Sequence, residues 1–368
     1  MSRVFLASAR RSATVPRGGA LAALPLHDLV APVIAAALTD ARTGADEVQE
    51  LILSNALGAG GNPARLAALA AGLPLSVAGL SIDRQCAGGL DALLLGAALI
   101  RAGQYDIVLA GGAESYSRRP LRLRTFADGR PPEPYDAPPF SPDPARDPDM
   151  AEAADALGRK LGISRAEQDR WAVESHRKAL AARQRLAAEI VPVAGLGHDP
   201  FARTLGLRLA GRAQVVTGDI TAANMSVAAD GAAICVLMSG RMARARGLTA
   251  VELGPGATAG SDPAMPGTAP VAAIAHALSA AGLHADDLAR SEIMEAFAVQ
   301  AIACQQLAGL DPRVMNAGGG ALARGHPIGA SGAVLAVRLY HELRRTGGAG
   351  LAAIAAAGGI GTALVLRA

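Results

Sequence analysis

Of the three cysteines and seven histidines in the chain, one of each stands where it could do chemistry. Cys86 follows the strand-like stretch Ala78-Gly-Leu-Ser-Ile82 and precedes Gly88-Gly89 and a helical run. A thiol at a helix N-terminus feels the positive end of the dipole and nearby amides, which favour the thiolate that attacks carbonyl carbon. The competing reading is a small buried core residue, and residue type alone favours it. His326 lies in Gly325-His-Pro-Ile-Gly-Ala-Ser-Gly332, where Pro and Gly fix a turn that holds an imidazole before a helix. So placed, it could take a thiol proton, or equally be a hydrogen-bonded structural histidine. Cys235, in the apolar run 232–238, and Cys304, in a helical run after Phe297, read as core. His27, His176, His198, His276, His284 and His341 read as surface residues.

Other chemistries find little support. An odd number of widely spaced cysteines argues against a disulfide framework and a Cys-rich zinc site, so no metal is expected. Gly318-Gly-Gly320-Ala-Leu-Ala323 loosely matches a dinucleotide pattern, but its helix begins only after His326, and Lys160 lacks the glycine spacing of a phosphate loop. The net charge is +3, and the basic residues are almost all Arg. They interleave with acids, as in Arg165-Ala-Glu-Gln-Asp-Arg170, and form no stripe, so no nucleic-acid partner is expected. Apolar stretches such as 87–100 are interrupted before the roughly 18 residues of a membrane span. Met1-Ser-Arg-Val-Phe-Leu6 runs straight into a strand-like segment without a signal-cleavage pattern, which makes a cytoplasmic enzyme, off the membrane, the expectation.

The elements that must position Cys86 and His326 come from a chain of 368 residues, 51% hydrophobic, long enough for two or three domains. Aromatics are 3% and glycines number 43, so the core must be Ala, Leu, Val and Ile packed around glycine-permitted turns, a composition suited to α/β layers. Strands are expected over 4–8, 50–53 and 107–110 and helices over 26–38 and 88–102, giving a parallel, helix-covered sheet. Residues 118–148, rich in Pro, read as a long surface excursion. Ser164-Arg-Ala-Glu167 is a capping box ahead of a helical pattern over 169–188, and a second alternating region begins near Glu252. Cys86-Ala-Gly-Gly-Leu opens a helix leading to strand 107–110 and Gly111-Gly112. His326-Pro-Ile-Gly-Ala-Ser-Gly opens one leading to 351–357 and Gly358-Gly359. This plan reads as a tandem duplication, against the blander view that Gly-rich strand ends recur in any α/β fold.

Taken in order, Pro16-Arg-Gly-Gly-Ala-Leu21, Gly60-Gly-Asn-Pro-Ala-Arg65, Ile82-Asp-Arg-Gln-Cys86-Ala-Gly-Gly-Leu90, Ala110-Gly-Gly-Ala-Glu-Ser115, Thr221-Ala-Ala-Asn-Met-Ser226, Met294-Glu-Ala-Phe-Ala298 and Gly325-His-Pro-Ile-Gly-Ala-Ser-Gly332 resemble the thiolase family over nearly the whole chain. These are CoA-dependent acyltransferases that make or cleave 3-ketoacyl-CoA. The resemblance implies a five-layered αβαβα fold from two similar halves, with an inserted loop domain covering the CoA. The expected division is an N-terminal half at 1–117, the insert at 118–225, completion of the first half at 226–250 and a C-terminal half at 251–368. It further implies Cys86 as acyl-accepting nucleophile, His326 as its activator, and the backbone N–H groups of Cys86 and Ala357 facing the oxyanion. Ser226, Ala296 and Phe297 would contact substrate. CoA and acyl-CoA are substrates rather than permanent cofactors, and a homodimer or homotetramer is expected. The segments 118–148 and 191–221 are where the family shapes its acyl and pantetheine pockets.

The chain departs from the pattern in the other half of the site. The family's second cysteine, the acid/base for the α-proton, falls on Ala355, and the Asn that holds a water in the second oxyanion hole falls on Met294. Asp83 and Gly88 stand where Asn and Ser are usual. Losing a general acid/base costs about 10²–10⁴ in rate, and one oxyanion donor roughly 10²–10³. The expectation is therefore acyl transfer through Cys86 with condensation and thiolysis in doubt. Arg324 is too basic to substitute as a base. The alternatives are a thioester hydrolase using water activated by His326, and a non-catalytic acyl-CoA-binding scaffold.

Overall fold

The computed structural model describes residues 3–58, 60–248 and 250–368. Short aliphatic runs bounded by Gly, Ser and Asp form strands β1 (Val4–Ser12), β2 (Glu50–Ser54), β3 (Leu80–Ile82) and β4 (Ile107–Glu114). Ala- and Leu-rich stretches between them form α1 (Leu26–Asp40), α2 (Pro63–Ala70) and α3 (Gly88–Arg101). The proline-rich excursion holds a small hairpin, β5 (Arg122–Arg124) and β6 (Glu133–Tyr135), and a 3₁₀ turn at Pro144–Arg146. It is followed by α4 (Met150–Leu161) and α5 (Arg165–Leu186). Helix α5 starts on the expected capping box: Ser164 Oγ accepts from the Glu167 amide and the Glu167 carboxylate accepts from the Ser164 amide.

The chain then returns through β7 (Ala229–Ser239), whose eleven residues are all buried. The remainder comprises β8 (Val251–Gly260), α6 (Ala269–Ala281), β9 (Leu288–Ile293), α7 (Ala298–Leu307), α8 (Ile328–Thr346), β10 (Ala349–Ala356) and β11 (Ile360–Arg367).

Strand pairing repeats itself. In the first half β2 pairs parallel with β4, β4 antiparallel with β7, and β7 antiparallel with β1. In the second β9 pairs parallel with β10, β10 antiparallel with β11, and β11 antiparallel with β8. An antiparallel β1–β8 contact joins the two, giving the order β9-β10-β11-β8-β1-β7-β4-β2-β3. The sheet is therefore mixed, not parallel throughout as the alternating pattern suggested. A strand such as β7, buried on both faces, reads as one apolar run whichever way it points, and the three-residue turn between β10 and β11 admits only antiparallel pairing.

Helices and sheet stack in five layers. Helix α1 packs on the outer face of β1 and β7, α6 on that of β8 and β11, and α3 and α8 lie against each other in the middle. The middle pair crosses at glycines. A Cβ on Gly89 would collide with the backbone of Ala333, and one on Gly332 would lie 2.5 Å from the Leu90 amide nitrogen. Backbone therefore meets backbone at the N-terminal ends of both helices, which is where Cys86 and His326 sit. The segment after α5 is tied in by a buried ionic cluster. Arg11 pairs with Glu189 and Asp199, each at 2.7 Å, and Arg338 pairs with Glu189 and with Glu342. Against the upward push of burial, Arg338 and Arg11 hold Glu189 down to about 2.

Candidate active site

Cys86 sits in a single 3₁₀ turn, Gln85–Ala87, that leads into α3. Gln85 takes φ +44°, an unfavourable left-handed conformation held by Asp83, whose Oδ1 accepts from the Gln85 amide at 2.8 Å. His326 stands just before α8, its amide bonded to the Val227 carbonyl at 2.8 Å. The helix crossing brings Cys86 Sγ to 3.1 Å from His326 Nε2.

The imidazole's other nitrogen decides its tautomer. Ser331 Oγ donates to the Pro327 carbonyl at 3.0 Å and lies 2.6 Å from His326 Nδ1. With its proton committed, that hydroxyl accepts from Nδ1–H, which leaves the Nε2 lone pair aimed at the sulfur. Ser331 is one turn into α8, within the Gly325–Gly332 block, and no local pattern marks its hydroxyl as returning to the ring.

Burial disfavours charge on both members of the pair. Burial pushes the Cys86 thiol up to about 12; its own amide opposes this, while the Glu114 and Asp83 carboxylates add to it. Burial pushes His326 down to about 4. The helix dipole, which the sequence suggested would favour a thiolate, is outweighed by desolvation.

Glu114, at the end of β4, was not singled out from sequence. Its carboxylate is fully buried and accepts from the Ala56 amide at 3.1 Å, the Leu57 amide at 3.3 Å, Asn55 Nδ2 at 2.8 Å and the Gly329 amide at 3.0 Å. It thus clamps the loop after β2 to the first turn of α8. Burial pushes it up to about 7, against those amides. Glu295 is a second such anchor, accepting from Trp171 Nε1, Ser175 Oγ and Asn316 Nδ2.

One cavity of about 590 Å³ is lined by Cys86 and His326 together with Ser226, Ala296, Phe297, Ala355 and Ala357. Ser226 is fixed by its amide and hydroxyl, both donating to the Ala296 carbonyl at 2.9 and 3.1 Å. Ala357 occupies the tight turn after β10, completed by Gly358 and Gly359 at φ +76° and +75°. Ala355 presents a methyl group to the cavity, while Met294 is 1% exposed and packs into the core without lining it. Among the described residues, no carboxylate, thiol or imidazole lines the cavity apart from Asp83, Cys86 and His326.

The remaining unusual positions are accounted for by packing. Arg324 is buried away from the cavity and donates to the carbonyls of Gly318 and Gly319, at 3.2 and 2.6 Å. The room for a side chain at Gly88 is taken by Ser54 Oγ. Cys235 and Cys304 are core residues. Two histidines are not at the surface as expected: His176 is buried on α5, where its Nδ1 accepts from the Arg203 amide, and His341 is bonded to the Ala9 carbonyl from α8. His176 lies on the inward face of α5, which the weak apolar periodicity of that charged helix conceals, and His341 is part-buried on α8.

Two repeated β-sheet halves, with a thiol and an imidazole delivered to one cavity by crossing helices, define an α/β architecture of paired halves. Comparison with known proteins gives this class its family. The model of the thiolase N-terminal domain matches residues 4–241 and that of the C-terminal domain matches 249–368. The chain is 40% identical to an acetyl-CoA acetyltransferase of Cupriavidus necator, over 100% of both chains. Human mitochondrial 3-ketoacyl-CoA thiolase, solved in complex with CoA, superimposes with TM-score 0.94 at 31% identity, covering 100% of this chain and 98% of that one. Bacillus anthracis acetyl-CoA acetyltransferase does so with TM-score 0.93 at 33% identity, covering 100% and 99%. The chain belongs to the thiolase family.

Proposed function

We propose that the protein is an acyltransferase that accepts acyl groups from CoA thioesters onto Cys86 and passes them to an acceptor, with carbon–carbon bond formation and thiolysis strongly slowed. The observation that carries this is the 3.1 Å contact between Cys86 Sγ and His326 Nε2, in a cavity where Ala355 offers no second acid/base. As the sulfur attacks the thioester carbonyl, its proton passes to Nε2. The backbone N–H groups of Cys86 and Ala357 face the developing oxyanion. The carbon–sulfur bond to CoA then breaks, and the departing thiolate takes the proton from His326. The products are a thioester on Cys86 and free CoA. Attack by a second thiol or hydroxyl can reuse His326 in the same way, but an α-carbon has no base to deprotonate it.

On this reading Ser226, Ala296 and Phe297 line the pantetheine path, and CoA is substrate rather than resident cofactor. The segments 1–117, 118–225, 226–250 and 251–368 serve as first half, insert, completion and second half. No helix among the described residues is long and apolar enough to cross a membrane, and a cytoplasmic homo-oligomer is the working assignment.

Intact-mass measurement after incubation with acetyl-CoA tests the central step. Wild type is expected to gain one acetyl group and Cys86→Ala none. Absence of a Cys86-dependent adduct would instead mark a binding scaffold. Carboxylate with free CoA would identify a hydrolase, and acetyl-CoA formed from acetoacetyl-CoA plus CoA a conventional thiolase.

A further inference from the structure

The cavity that holds Cys86 adjoins a charged recess. A second cavity of about 220 Å³ shares Leu57, Tyr116, Arg122 and Tyr135 with it and adds Arg17, Arg119 and Asp136. Arg119 is committed: it pairs with Asp136 at 2.8 Å and stacks on the Tyr116 ring. Arg17 also lines the recess, 5.7 Å from the Tyr116 ring centre. Arg122, on β5, is half-buried and makes one hydrogen bond, from Nη2 to the Ala56 carbonyl at 2.9 Å. Among the described residues no carboxylate comes within ion-pair distance of it, although it lines the same cavity as the nucleophile. The recess thus holds three guanidinium groups against one carboxylate. Asp83, in the adjoining cavity, is engaged with the Gln85 amide.

We propose that Arg122 selects acyl groups ending in a carboxylate, so that the preferred substrates are dicarboxylic acyl thioesters whose far end lies in this recess. This rests on the acyl-enzyme reading above. A half-buried guanidinium with a single neutral acceptor has unused donors in a planar fork, which matches a carboxylate with two oxygens. The wall that carries it is tied to the loop after β2 through Ala56. Ser226, Ala296 and Phe297 line the cavity from a different segment, held by the bridge between Met225 and Phe297 just before α7. The cavity around Cys86 therefore carries a guanidinium on a segment separate from Ser226, Ala296 and Phe297. A CoA phosphate is the other anion this chemistry would take, and the test separates the two.

The rate of Cys86 thioester formation is measured with adipyl-CoA and hexanoyl-CoA, and with the corresponding N-acetylcysteamine thioesters, which carry no phosphate. Wild type is expected to favour the adipyl group roughly 10- to 100-fold in both series, with the ratio falling toward one in Arg122→Leu and partly kept in Arg122→Lys. Equal rates in wild type overturn the proposal. So does an Arg122→Leu effect that is the same for both acyl groups and vanishes in the phosphate-free series. Binding of the two acyl-CoAs to Cys86→Ala, measured by calorimetry, decides the carboxylate contact even if no thioester forms, an outcome that would sink the acyl-enzyme reading alone.

Discussion

The hydroxyl of Ser331 donates to one carbonyl and thereby becomes an acceptor for the ring beside it, so a residue that never meets substrate sets which nitrogen of His326 is basic. Nitrogen-15 spectra of labelled histidine should show Nδ1 protonated and Nε2 bare between about pH 5 and 8. Ser331→Ala should lose that fixed tautomer and acylate Cys86 roughly tenfold more slowly. Since His326 is pushed down to about 4 and Cys86 up to about 12, neither titrates near neutrality. The acylation rate, followed by rapid quench and mass measurement, should be flat across pH 5 to 9 and fall as pH drops toward 4, where the base takes up its proton. Because Glu114 is pushed up to about 7 and acts on the thiol, a step near pH 7 that persists in Glu114→Gln would contradict the neutral pair. Ala355→Cys is expected to raise acetoacetyl-CoA thiolysis by about 10² or more over wild type. Adding Met294→Asn should raise it further, at a cost in stability for a buried amide, read as a lowered denaturant midpoint.

At the scale of elements, the strands over 4–8, 50–53 and 107–110 and the helices over 26–38 and 88–102 were legible because turn residues bracket each apolar run, and β1, β2, β4, α1 and α3 all contain or closely match them. Strand direction was not legible, because a doubly buried strand carries no alternation to orient it. Cys86 and His326 could be singled out because Gly and Pro around them announce a turn before a helix. Glu114, Ser331 and Arg122 carry no local signal: Glu114 meets Gly329 from 215 positions away, and Arg122 meets Ala56 from 66. What unites these pieces is the α3–α8 crossing. Gly332→Ala is expected to destabilise the fold by about 1–3 kcal/mol through overpacking. It should also slow acylation at least tenfold, since sulfur and imidazole are displaced together. Chemical denaturation and the acylation rate check both, and an undiminished rate in a folded variant would show that the crossing does not set the geometry.

For the whole molecule, β3 is one end strand of the sheet, and Leu66, Leu69, Leu75 and Leu80 are exposed on it and around it. An apolar sheet edge is a template for pairing with a second copy. Sedimentation velocity should find wild type as a dimer or larger and Leu80→Lys shifted toward monomer; a monomeric wild type at micromolar concentration would refute pairing through this edge. The buried cluster of Arg11, Arg338, Glu189, Asp199 and Glu342 plays the corresponding part within the chain, fastening the segment after α5 to both halves. Removal of any one member leaves a charge buried without its partner.

Where two side chains touch, a larger one on one side can be offset by a smaller one opposite. At Gly89 and Gly332 nothing remains to be trimmed on either side. Change in one half therefore has no compensating change in the other, and this seam should be the part of the molecule least free to drift, even as the chemistry on its far side is lost or rebuilt.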